Sequence, residues 1–206
     1  MNISFVSVED GITNLGFRKM AALARSINPS TEVIYIPLHN TYSPISFLLA
    51  GGGAGGGSGN MYSDADLDRM ASHLSKADLV CFSAMTQYSD LTKKLIQLIK
   101  KIRPVTYIIW GGIHPIVHPE DAIEFPDAIC RGEGETAFKS FLSSFKEGSD
   151  YTSTKNFWFN HNGEIIRNEF LPLHTGEEMD KFPLMLYADN EKIYSAENMK
   201  VGLFQS

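Results

Sequence analysis

Cysteine is scarce in this chain: Cys81 and Cys130 are the only two among 206 residues. Two thiols cannot supply the ligands of a cysteine-held zinc site or an iron–sulfur cubane. Both sit in apolar, strand-like surroundings and read as buried free thiols of a reducing, cytoplasmic compartment. Long hydrophobic runs are missing too. No stretch nears the roughly eighteen apolar residues of a bilayer-spanning helix, and MNISFVSVED has neither the basic start nor the apolar stretch of a secretory leader. No membrane partner is expected. Positive charge is in deficit: 18 Lys and Arg against 24 Asp and Glu leave a formal charge of -6, which argues against nucleic acid as a partner.

Glycine is dense in one place only. Residues 51–59, GGGAGGGSG, hold seven of the 17 glycines. A Gly/Ser/Ala string behaves as a flexible coil, and this one resembles an engineered replacement for a native loop, so it is set aside in reading the fold. No Gly-Lys-Ser/Thr follows it, which rules out a phosphate loop.

The remaining sequence alternates apolar runs with helical periodicity. Ile3 to Val8 reads as a buried strand, and Leu15 to Ile27 as a helix stopped by Asn28-Pro29. Glu32 to Leu38 is a second strand, so a right-handed parallel crossover is expected. Ser63 to Asp66 offer N-caps for a helix carrying Leu67, Met70 and Leu74. Asp78 to Ser83 is a third strand. Ser89-Asp90 caps a strongly amphipathic helix running to Ile102. Thr106 to Trp110 is a fourth strand ending at Gly111-Gly112, and Pro119 starts a short helix through Ile123. Ala128 to Cys130 is a fifth strand entering RGEGE, and Thr136 to Phe145 a further helix. Five buried strands alternating with helices describe an α/β, doubly wound parallel sheet. Asn156 to Asn160 and Glu164 to Arg167, joined through Asn162-Gly163, read as a β-hairpin. Beyond it the chain is proline-punctuated and reads as a linker arm. The expected division is a domain over 1–150 and the hairpin and linker over 151–206.

Ligands of open α/β sheets bind beyond the carboxyl ends of the strands. Two exits lack bulk, Gly111-Gly112 and the RGEGE loop, so a large, flat group can approach the backbone there. The neighbouring helix starts supply N–H donors for phosphate or amide oxygens. The residues alone point to a broad edge for a nucleotide-like cofactor, with no nucleophile and base paired.

The combination of FSAMTQYSD, WGGIHP followed by HPEDAI, and CRGEGETAF resembles the amino-terminal cobalamin-binding domain of class B radical SAM proteins, a group that includes methyltransferases and the anaerobic magnesium-protoporphyrin ester cyclase. The resemblance extends to NLGFRKMAALAR and to Phe182-Pro183 in the later linker, and implies a flavodoxin-like strand order 2-1-3-4-5. It implies cobalamin as the cofactor. Ser83, Met85, Thr86, Gln87 and Tyr88 would lie along the corrin edge and nucleotide tail, with Tyr88 readable equally as core. Gly111, Gly112, Ile113 and His114 would pass near the tail, and Gly132, Glu133 and Gly134 near its ribose or phosphate. It also implies a radical SAM domain in cis, beyond residue 206, holding a 4Fe-4S cluster and S-adenosylmethionine. This chain alone would then perform no turnover.

One departure matters. Some cobalamin domains carry DxHxxG after the first strand, its histidine ligating cobalt. Here Glu9 to Gly16 holds no histidine, which implies a His-off cobalt with Asp10, Gly11, Ile12, Thr13 and Asn14 beneath it. His114 and His118 read as turn chemistry rather than metal ligands, and Glu133 and Glu135 as helix-start partners. A receiver-like or flavodoxin-like binding domain is the alternative. Ser83 stands where a receiver needs aspartate and no lysine follows Cys130, while the hydroxyl-rich loop of a flavin site is thin. A nicotinamide oxidoreductase would need GxGxxG after the first strand.

Overall fold

Six consecutive buried residues, Ile3–Val8, form β1, the pattern of a strand covered on both faces. The structure, a computed structural model, describes residues 1–9, 14–37, 62–185, 192–193 and 202–203, the last two pairs as backbone only. Asp10 to Thr13, Leu38 and the glycine string at 51–59 lie outside the described residues.

Helix α1 spans Leu15–Ile27 and starts from Asn14, whose Oδ1 accepts the Phe17 N–H. Strand β2, Glu32–Tyr35, returns parallel to β1. Helix α2, Asp64–Leu74, begins at Ser63, one of the N-caps the sequence offers, in a reciprocal Ser63–Asp66 capping box. Strand β3, Leu79–Ala84, passes through a single 3-10 turn at Thr86–Tyr88 into α3, Ser89–Ile102. Ser89 is inside that helix and not its cap; Tyr88 holds the cap position without a side-chain bond. Strand β4 is Tyr107–Gly111, followed by short helices α4, Ile113–Val117, and α5, Pro119–Ala122. Strand β5, Ala128–Cys130, leads to α6, Gly134–Glu147. Strands β6, Phe157–His161, and β7, Glu164–Arg167, form the hairpin, and α7 is one turn at Gly176–Met179.

The two-residue strands β8, Lys192–Ile193, and β9, Gly202–Leu203, complete a sheet of order β7-β6-β5-β4-β3-β1-β2-β8-β9. Its centre is the parallel set β2-β1-β3-β4-β5, the expected 2-1-3-4-5 order. The hairpin is not a free appendage, because β6 pairs antiparallel with β5. Nor is the tail wholly linear: β8 pairs with β2 at the opposite edge.

Alternation along the strands divides the core. Val6, Val80, Phe82, Ile108, Trp110 and Ile129 face α2 and α3. Phe5, Cys81, Ile109, Ala128 and Cys130 face α1 and α6, with Phe157 and Phe159 of the hairpin joining them. Among the described residues no helix is long and apolar enough to cross a membrane.

Candidate functional site

β1 and β3 lie side by side while their connections leave in opposite directions, so the carboxyl edge between them is the switch point at which a doubly wound sheet opens a crevice. A cavity of about 420 Å³ lies there, between the sheet and the starts of α1 and α6. Its floor is apolar and comes from the α1/α6 face of the sheet: Phe5, Cys81, Ile109 and Phe157, with Phe17 and Phe138 from the helices. The Phe5 and Phe138 rings meet edge to face at 5.4 Å, a geometry that fixes the wall.

Polar groups gather toward the mouth. Ser83 lines the cavity, and Ser7 stands beside it in register on β1. Ser7 is fully buried and its hydroxyl has no hydrogen-bond partner among the described residues. A buried hydroxyl left so is costly unless a ligand or water completes it. In the sequence Ser7 carries only a weak signal, being one of two serines in β1 and the one in phase with Phe5 of the cavity floor.

Three glycines shape the mouth. Gly112 has φ +93, and a Cβ there would lie 2.8 Å from both the backbone N and O of Ala84. Only glycine fits that close approach of β4's exit to β3's end. At Gly132 a Cβ would meet the Asn156 amide at 3.0 Å, and at Gly134 it would meet Met20 Sδ and Cε at 3.1 Å. Met85, Ile113 and Ile116 form an exposed apolar rim, at 42%, 50% and 43%.

Of the residues expected at the site, the structure brings Asn14, Ser83, Met85, Gly111, Gly112, Ile113, Gly132, Glu133 and Gly134 to this cavity. Asn14 is occupied by structural work: besides capping α1, its Nδ2 donates to Glu9 Oε2 at 2.8 Å. Thr86 and Gln87 are exposed beyond the rim. Tyr88 and His114 are not brought there. Tyr88 is buried in the core on the α2/α3 side. The His114 ring stacks on Trp110 with centroids 4.8 Å apart, and its Nε2 meets Asp121 at 2.9 Å. Burial holds the His114 pKa below the usual imidazole value, against the opposing pull of Asp121. Among the described residues no group of three or more His, Cys, Asp and Glu side chains could hold a metal ion.

The two cysteines line the cavity as free thiols. Burial pushes the Cys130 thiol up to about 11 and holds the Cys81 thiol well above its ordinary value, so both are neutral packing groups rather than nucleophiles. Glu133, at the cap position of α6, makes no capping bond with its side chain. Its carboxylate instead accepts from the His174 N–H at 2.8 Å and meets His174 Nδ1 at 2.6 Å. Glu135 is buried and faces Lys19 Nζ at 3.9 Å.

Residues 59–142 match the family model described as the B12 binding domain, which covers the exits of β3, β4 and β5. An uncharacterized methyltransferase of Pyrococcus horikoshii is 28% identical over 113 residues, 53% of this chain and 24% of that protein. The anaerobic magnesium-protoporphyrin IX monomethyl ester cyclase of Synechocystis sp. is 24% identical over 119 residues, 56% of this chain and 23% of that protein. The chain thus spans about a quarter of the length of these curated relatives. Among solved structures, the radical S-adenosylmethionine methyltransferase TsrM of Kitasatospora setae superposes with a TM-score of 0.57 at 14% identity, over 82% of this chain and 30% of that one. The cobalamin-dependent S-adenosylmethionine radical enzyme OxsB, solved with aqua-cobalamin and S-adenosylmethionine bound, gives 0.57 at 15% identity, over 84% of this chain and 22% of that one. At such identities the likeness is one of fold.

Proposed function

This chain carries a B12-binding domain and is a cobalamin-binding module, and we propose that it takes the nucleotide tail of cobalamin into the cavity between the sheet and helices α1 and α6. The observation that carries this reading is the apolar cavity itself, with its glycine-lined mouth at the carboxyl edge. Its volume lies within the range of about 300–1,000 Å³ that encloses a small organic ligand. That suits a heterocyclic base and sugar and is too small for a whole corrinoid.

The residues fit the group. Phe5, Phe17, Ile109 and Phe138 offer an apolar slot for an aromatic base. Ser83 and the unpaired hydroxyl of Ser7 suit ribose oxygens. Gly132 and Gly134 leave backbone exposed at the start of α6, where N–H groups favour a phosphodiester. The corrin ring would then rest outside, over the rim of Met85, Ile113 and Ile116. When bound, cobalamin supplies the cobalt that carries a transferable methyl group; this chain's residues bind it, orient it and keep water from its tail.

Nothing in the sequence from Glu9 to Gly16 is a histidine, His114 is turned into the core, and His174 is engaged with Glu133. The cobalt is therefore proposed to be His-off. The partner is proposed to be a radical SAM domain in cis, with a 4Fe-4S cluster and S-adenosylmethionine of its own, in a cytoplasmic enzyme of methyltransferase or cyclase type. The fold shared with TsrM and OxsB and the two curated relatives support that reading. Electron paramagnetic resonance of the protein loaded with cobalamin and reduced to the cobalt(II) state tests the lower face. Absence of nitrogen superhyperfine splitting is expected; triplets that turn to doublets when the histidines of the protein are labelled with nitrogen-15 would overturn the His-off assignment.

A further inference from the structure

The RGEGE loop is held from a stretch of chain that the sequence marks only as a hairpin edge and linker. Asn156 is buried, with φ +67. Its Nδ2 donates to the Glu133 carbonyl at 2.8 Å, and its own carbonyl accepts the Arg131 N–H at 2.8 Å. Its remaining groups serve the arm: Oδ1 accepts the Leu171 N–H at 2.6 Å, and its N–H donates to the Glu169 carbonyl at 2.9 Å. One residue thus ties the loop to the arm, and the next contact along the arm is His174.

His174 grips Glu133 twice, through its backbone N–H and through Nδ1, both on Oε2. The other ring nitrogen, Nε2, lies 2.7 Å from Thr136 Oγ1, so both nitrogens of the ring are held. The ring is 9% exposed at its side chain, and Phe182 closes its edge at 5.2 Å. A glutamate at a helix cap position would otherwise be free to turn inward onto the first N–H groups. There it would both occupy those donors and place a negative charge where an anion is to bind.

We propose that His174 is a positioning residue of the cofactor site, drawing the Glu133 carboxylate off the start of α6 so that the mouth of the cavity stays open to the anionic phosphodiester of the tail. The inference rests on the cobalamin reading above. It makes the arm part of the binding site, since cofactor affinity then depends on whether residues 169–182 are seated.

Absorbance titration with hydroxocobalamin tests it on the chain as it stands. His174→Ala is expected to weaken binding about tenfold, inside the roughly 5–150-fold usual for coupled groups. Adding Glu133→Ala to that variant is expected to restore most of the loss, because no carboxylate is left to turn inward. His174→Asn, which keeps a donor at the place of Nδ1, is expected to bind as the parent does, and gives the test when the alanine variant does not fold. If the parent chain gives no corrin spectral change, the cobalamin reading itself fails. If the parent binds and His174→Ala binds equally well, or the double variant stays as weak as the single one, the positioning role fails while the cobalamin reading stands.

Discussion

Gly112 presses against Ala84 so closely that an added Cβ would sit 2.8 Å from two of its backbone atoms. Gly163, in the hairpin turn, shares the positive φ, +83 against +93, but a Cβ there would meet nothing within 4 Å. The pair separates strain from collision. Gly163→Ala is expected to cost about 1 kcal/mol in urea unfolding, from backbone strain alone. Gly112→Ala adds an overpacking cost of about 1–3 kcal/mol and should also weaken hydroxocobalamin binding. Equal costs at the two sites would contradict the close approach.

Gly134 is a cleaner probe of the cavity, since it carries no positive φ and stands at the first position of α6. Leucine there is better by up to about 1 kcal/mol in helix propensity, yet its side chain would enter the space bounded by Met20 and Cys130. Gly134→Leu is expected to leave the thermal midpoint within a few degrees of the parent and to abolish retention of hydroxocobalamin on gel filtration. Retained corrin in this variant would place the tail elsewhere.

His114 gives a pH prediction. Its folded pKa lies below its ordinary value of 6.5, chiefly because the ring is buried on Trp110. The unfolded chain therefore takes up the proton first as pH falls. The stability this group contributes is intact above 6.5 and is lost as pH drops from there toward the folded value. Urea midpoints between pH 7.5 and 5.5 should fall less steeply in His114→Gln than in the parent. An unchanged slope would remove His114 as the cause.

How much of this was legible in the sequence follows from how local each signal is. Ile3 to Val8 and Ala128 to Cys130 were readable as strands because burial on both faces demands short, mainly apolar runs, interrupted in the first only by the small side chains of Ser4 and Ser7. The exits Ser83, Gly111 and Gly132 follow once the strands are known. Helix α4 was not readable: IHPIV is five residues long, carries a proline and has no side-chain cap. Nor were the orientations of Ile113 and His114. The positive φ of Gly112 redirects the chain, leaving Ile113 at the cavity and His114 beneath Trp110. Asn156 and His174 meet the RGEGE loop from 23 and 41 residues away, and no local pattern encodes such a contact. The union of β6 with β5 escaped for the same reason, since a hairpin signal fixes the turn and leaves open what the outer strand pairs with.

The central claim is that the cavity between β1, β3, α1 and α6 receives the nucleotide tail. Equilibrium dialysis of the parent chain against hydroxocobalamin and, separately, against cobinamide, which lacks the nucleotide, tests it most directly. Cobalamin is expected to bind at least ten times more tightly, the worth of about 1.4 kcal/mol from the buried tail. Equal affinity for the two corrinoids would contradict it.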